Sequence, residues 1–147
     1  MTPRAASRPG IDLIEIARVE RALERRPRLA ERLFHPGELA YAAARRRPGR
    51  HLAARFAAKE AAIKALDGPI APRDIEVVDS RPPRLRLHDA AAEAAARQGI
   101  GLEVSLTHSR EIAAAVVVAT PGDRNEAQGG QEAGGGEGEE PAAASGG

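Results

Sequence analysis

The sequence has no cysteine and no tryptophan, and its only large aromatic residues are Phe34, Phe56 and Tyr41. Without cysteine there is no disulfide framework and no thiolate metal centre. So few aromatics leave little to stack bases on, which argues against nucleic-acid binding. They also leave the core to Ala, Leu, Ile and Val, which bury less area each, so an oligomer interface has room to contribute. Long apolar runs are missing as well. No stretch approaches 18 residues and no leader-like segment is evident, so the expectation is a cytoplasmic protein with no membrane partner. Lysine is nearly absent: of 22 basic residues, only Lys59 and Lys64 are not arginine. Two compact ammonium groups five residues apart, in a chain that otherwise prefers the planar guanidinium, mark a place to inspect.

Charge is unevenly spread. The formal net charge is +1, but residues 121–147 carry six acids against Arg124, so residues 1–120 carry +6. A basic unit of that size favours anionic partners: phosphorylated cofactors, nucleotides or acidic proteins. Residues 121–147 hold nine of the fifteen glycines and almost no apolar surface. They are expected to form a disordered tail, because burial there cannot offset the entropy of ordering. Residues 1–9, rich in Arg, Pro, Ser and Ala, are expected to be a flexible N-terminus, which leaves one domain over 10–120.

Within that domain the pattern predicts a strand over Ile11–Ile16 and helices over Ala17–Arg26 and about Arg28–Leu33. A third helix is entered at Pro36. A long helix follows from about Arg50 to Leu66, with Leu52, Phe56, Ile63 and Leu66 as its apolar stripe. Ile75–Val78 and Leu85–Leu87 read as strands, and Asp89–Gln98 as a helix stopped by Gly99. Leu102–Thr107 and Ile112–Ala119 read as a hairpin. Strands and helices mix without βαβ alternation, so the fold class is α+β.

Three residues carry chemical interest. Glu60 lies on the long helix between Phe56 and Lys64, where a carboxylate is costly unless paired or metal-bound. An i,i+4 pair with Lys64 would serve equally well. Asp12 begins an apolar strand and could be a turn residue. Glu15, an odd number of positions on, should face away from it. His108 sits at the mouth of the hairpin, where a turn role is also open, and Ser105 and Thr107 share one strand face. No His/Cys cluster shows zinc spacing, so the metal these carboxylates suggest is a hard, oxygen-ligated ion such as Mg²⁺.

In order along the chain, these segments resemble a known family. Gly10-Ile11-Asp12-Leu13-Ile14-Glu15-Ile16 followed by Arg18, then Phe34-His35-Pro36-Gly37-Glu38-Leu39, are similar to the opening motifs of holo-acyl-carrier-protein synthases. Ala54-Arg55-Phe56-Ala57-Ala58-Lys59-Glu60-Ala61 with Lys64 resembles their Lys-Glu-Ala helix. Val104-Ser105-Leu106-Thr107-His108-Ser109 resembles their Ser-x-Ser/Thr-His strand. The resemblance spans residues 10 to about 119. It implies the 4'-phosphopantetheinyl transferase fold, a long helix packed on a small antiparallel sheet and assembled as a homotrimer with shared sites. It further implies Mg²⁺-dependent transfer of phosphopantetheine from coenzyme A to a serine of an acidic apo acyl-carrier protein, as in fatty-acid synthesis.

By position, Asp12 and Glu60 match the metal ligands, and Lys64 the lysine directed at the phosphates. Arg55 matches a cation for the 3'-phosphate, and Ser105 and His108 match residues lining the coenzyme A site, with His108 placed by the implied trimer to serve a neighbouring subunit's metal site. Arg18 matches an arginine that meets the carrier. Ile14 stands where the larger, surfactin-type transferases carry another carboxylate, which places the chain with the small group. The chain departs from the pattern at Asp67-Gly68-Pro69, at Arg81 and at Arg8-Pro9 ahead of the first strand. A non-catalytic carrier-docking protein is the competing reading, and intact Asp12 and Glu60 argue against it.

Overall fold

The computed structural model describes residues 7–122. Strand β1 (Arg8–Glu15) runs into helix α1 (Ile16–Arg25), and α2 (Leu29–Leu33) and α3 (Pro36–Ala43) precede the long α4 (Pro48–Ala65). After a 3-10 turn at Pro72–Asp74 come β2 (Ile75–Val78), β3 (Arg84–Leu87), α5 (Asp89–Gln98) and the hairpin β4 (Ile100–His108) and β5 (Ile112–Pro121). The class is α+β, as the pattern predicts. Gly99, at φ 63°, ends α5 in the left-handed conformation that glycine takes without strain.

The main sheet is antiparallel in the order β1-β5-β4, while β2 and β3 pair separately. Register is set by period-two alternation. Gly10 opposes Val117, Asp12 opposes Ala115 and Ile14 opposes Ala113, and β5 turns Ala113, Ala115, Val117 and Ala119 inward. Against that inner face packs α4, whose buried residues are chiefly Ala53, Ala54, Ala57, Ala58, Ala61, Ala62 and Ala65.

Two expectations change here. Arg8 and Pro9 belong to β1 instead of a flexible segment: Arg8 opposes Ala119, and its Nε donates to the Ala65 carbonyl at 2.8 Å. Strand pairing uses backbone groups, so apolar side chains are not needed there, and Pro9 is tolerated because β1 is an edge strand. The expected helix stripe also moves. Phe56 and Ile63 are only half-buried, and the alanines between them form the core face. The expected tail lies outside the described residues from 123 onward.

Small residues on both sides let helix and strand approach closely. A Cβ built on Gly10 would stand 1.9 Å from the Ala61 carbonyl oxygen, which is backbone and cannot swing aside. Gly10→Ala is therefore expected to cost about 3 kcal/mol or more by overpacking. That lowers Tm by more than about 10 °C for a domain of this size. A thermal melt showing a Tm within 3 °C of the unsubstituted chain, on the same scale, would refute the contact.

Candidate active site

The close approach at Gly10 brings the start of β1 beside the C-terminal half of α4. Alternation turns Asp12 toward the helix side, where it is half-buried, and leaves Glu15 exposed on the other. Lys64 reaches back from α4 to the strand, donating to the Ile11 carbonyl at 2.8 Å and to Asp12 Oδ1 at 3.2 Å. The alternative Glu60–Lys64 pair is not made. Among the described residues Glu60 has no ion pair within 4.0 Å.

The electrostatics of this corner are unbalanced. Burial pushes the Glu60 carboxyl above its ordinary range, the Asp12 charge pushes it further, and Lys64 opposes the rise only in part. Two carboxylates thus share one ammonium. An added cation would remove the repulsion, and a donor set made only of oxygens suits a hard divalent ion such as Mg²⁺.

The second lysine has a different fate. Lys59 is fully buried, with its Nζ donating to Glu38 Oε2 at 2.9 Å and to the Ile75 carbonyl. Glu38 Oε1 accepts from the Val77 amide at 3.0 Å, and Oε2 from the His35 amide at 2.8 Å. Burial pulls the Lys59 ammonium down, and Glu38 holds it up. The two lysines therefore do not act at one place: Lys59 braces α4 against α3 and β2, and Lys64 faces the carboxylates.

A basic cluster lies toward the N-terminal half of α4. The Tyr41 ring carries the Arg45 guanidinium 3.2 Å and the Arg55 guanidinium 3.7 Å from its centroid. His51 meets Tyr41 edge-on at 5.8 Å and His108 at 5.6 Å. Arg55 is only 4% exposed, and its Nε, like that of Arg50, is buried without a hydrogen-bond partner. Burial holds the His51 imidazole below its ordinary range, and the charges of Arg50, His108, Arg45 and Arg55 lower it further. A neutral histidine among arginines marks a place short of negative charge.

Ser105 and Thr107 occupy the exposed outer face of β4, whereas Leu102, Val104 and Leu106 pack inward. Ser105 therefore lies on the opposite face of the sheet from Asp12. Arg18 is exposed on α1 with Arg21 and Arg25, at spacings that place all three on one side. The fold thus unites Asp12, Glu60 and Lys64, links Arg55 with His108 through Tyr41 and His51, and leaves Ser105 and Arg18 apart from both groups. Tyr41, Arg45 and His51 were given no role in the reading of the sequence, and Glu38 entered it only as part of the Phe34–Leu39 motif. The one available signal was that Tyr41 is the only tyrosine of the chain.

Comparison with known proteins places the chain in a family. Residues 8–117 match the family described as the 4'-phosphopantetheinyl transferase superfamily. A holo-[acyl-carrier-protein] synthase of Moorella thermoacetica is 50% identical over 115 residues, 74% of this chain and 90% of that one. The solved acyl carrier protein synthase of Mycobacterium tuberculosis is 38% identical, with a TM-score of 0.63 over 78% of this chain and 96% of that one. An ACPS–CoA complex from Chronobacterium ammoniagenes is 28% identical, with a TM-score of 0.68 over 80% of this chain and 99% of that one.

Proposed function

The chain belongs to the 4'-phosphopantetheinyl transferase superfamily, and we propose that Asp12, Glu60 and Lys64 form its catalytic centre. Its activity is that of a holo-acyl-carrier-protein synthase. It transfers 4'-phosphopantetheine from coenzyme A to a serine of an apo acyl-carrier protein and releases adenosine 3',5'-bisphosphate. The observation that carries the site is the carboxylate pair left short of positive charge, with Glu60 raised by both burial and Asp12.

Asp12 and Glu60 would hold Mg²⁺, which when bound supplies positive charge to the diphosphate as the bond to phosphorus breaks. Lys64, anchored on Ile11 and Asp12, orients the strand carboxylate and presents its remaining proton to a phosphate oxygen. The carrier serine is a weak nucleophile, and its proton leaves to a site carboxylate or to water. The 3'-phosphate of coenzyme A would meet the Arg55 and His108 cluster, a reading supported by the unpartnered Arg55 Nε. Arg18, on the arginine-rich side of α1, would receive the acidic carrier.

A homotrimer fits the outer face of the sheet. Ile11 and Leu13 are each 65% exposed and Val116 40%, and Ile11 opposes Val116 across the β1–β5 ladder. Such a patch on one face marks an interface. Ser105 lies on that face, so it can line a coenzyme A site only where a neighbouring copy supplies the other residues. Leu13→Glu is expected to dissociate the assembly and reduce transfer by at least about tenfold, the fold-change that corresponds to some 1.4 kcal/mol. Sedimentation showing a fully active monomer would reject the shared site.

The direct test uses mass spectrometry. The chain, coenzyme A, Mg²⁺ and an apo acyl-carrier protein should yield a carrier heavier by one phosphopantetheine, and chelation by EDTA should stop the gain. Coenzyme A binding without any mass gain across several carriers would favour a docking protein instead.

A further inference from the structure

The chain has four histidines, and the fold brings all of them into two pairs. His51 and His108 meet among Arg45, Arg50 and Arg55, surroundings that repel a cation. His35 and His88 stack with ring centroids 4.5 Å apart and planes 21° from parallel. This second pair faces a carboxylate. His88 Nε2 lies 2.8 Å from Glu76 Oε2, and one donor atom from each of His35, Glu76 and His88 lies within 4.8 Å of the other two.

We propose that His35, Glu76 and His88 bind one divalent transition-metal ion, with zinc as the representative, at a site separate from Asp12 and Glu60. Two imidazoles and one carboxylate are the donor set of borderline ions, and Mg²⁺ has little affinity for imidazole. The three residues come from different segments: His35 precedes α3, Glu76 lies in β2 and His88 precedes α5. That dispersion is why no zinc spacing shows in the sequence. Ligands 2.0–2.1 Å from a tetrahedral zinc stand about 3.3 Å apart, so the cluster must contract. All three side chains are only half-buried, and rotating them out of the ring stack supplies the movement.

The neighbouring charges allow it. The Glu76 carboxylate already points at the His88 ring, with Oε2 2.8 Å from Nε2, so it is placed to ligate once that ring nitrogen has given up its proton. Arg86, 3.5 Å from Glu76 and largely exposed, can swing into solvent. His35 Nε2 is engaged by the Arg73 carbonyl at 2.7 Å, so the lone pair lies on Nδ1 when Nε2 carries the proton, and a metal ion there would compete with the capping box that turns this side chain toward the Glu38 amide. An ion here would cross-link the start of α3, the small sheet and the start of α5. It would do so beside Glu38, the residue that anchors Lys59.

Calorimetric titration of the full chain with ZnCl₂, in excess Mg²⁺ to occupy the oxygen site, should show one equivalent bound. His35→Gln and His88→Gln should each weaken that binding at least about 100-fold, the upper end for residues that merely support a ligand. His51→Gln should leave it unchanged. Imidazole NMR of the unsubstituted chain gives a readout that does not depend on variants folding: zinc should shift the His35 and His88 rings and spare His51 and His108. No zinc uptake, uptake indifferent to His35 and His88, or shifts confined to His51 and His108 would each overturn the site.

Discussion

Glu60→Gln is expected to lower phosphopantetheine transfer at least about 10²–10³-fold while making the metal-free protein more stable at pH 7.5. The first effect follows from removing a charge that would otherwise hold the ion at the reacting diphosphate, a contribution of several kcal/mol in comparable sites. The second follows from linkage. Burial and then Asp12 raise the Glu60 pKa in the folded chain above its unfolded value. The folded protein therefore holds this proton more tightly, and ionising the group costs stability. That cost is absent below the unfolded pKa and complete above the folded one. At pH 7.5 without metal the wild-type chain carries the cost, and the amide, nearly the same in shape, does not. Asp12→Asn should match the loss of transfer without the gain, because it leaves Lys64 without its partner. Thermal melts in EDTA, repeated with Mg²⁺, separate the two: Mg²⁺ should raise the Tm of the wild type and leave that of Glu60→Gln unmoved. A Glu60→Gln protein that keeps a tenth of wild-type transfer would remove Glu60 from the centre.

Much of this was legible in the sequence, for reasons that differ between parts of the chain. Asp12, Glu60 and Lys64 were singled out by the resemblance of their motifs, while local periodicity fixed only that Asp12 and Glu15 point apart and left a Glu60–Lys64 pair open. A strand alternates by two and a helix repeats by 3.6, so Asp12 and Glu15 separate without any knowledge of the tertiary structure. Gly99 and the β4–β5 hairpin were similarly local. The core face of α4 was not, because large apolar residues usually mark it. Here Gly10 lets the strand backbone touch Ala61. The helix face at that spacing is made of alanines, and Phe56 and Ile63 are left half-buried. Pairings across the chain were hidden altogether. Glu38 meets Lys59 across 21 residues and His88 meets Glu76 across 12, separations that no helix or strand period connects.

Glu38→Ala is the substitution expected to harm the fold most. Lys59 and Glu38 are both fully buried, and the carboxylate also serves the Val77 and His35 amides. Removing one member of a buried ion pair costs about 3–5 kcal/mol, because the other charge stays in a poorly solvating interior. The stranded Val77 amide adds about 1–3 kcal/mol. Against a typical total of about 5–15 kcal/mol, that is enough to leave much of the chain unfolded at 37 °C. Lys59 would respond by giving up its proton, since burial already lowers its pKa and Glu38 is the group that counters it. Adding Lys59→Met to Glu38→Ala should restore part of the loss, because an uncharged side chain of similar length needs no partner there. The recovery stays incomplete, as the Val77 amide and the Ile75 carbonyl still lack partners. Urea unfolding of the two single variants and the double variant measures the coupling directly. If Glu38→Ala costs less than about 1 kcal/mol, within the range of an exposed pair, the buried network does not hold α4 in place.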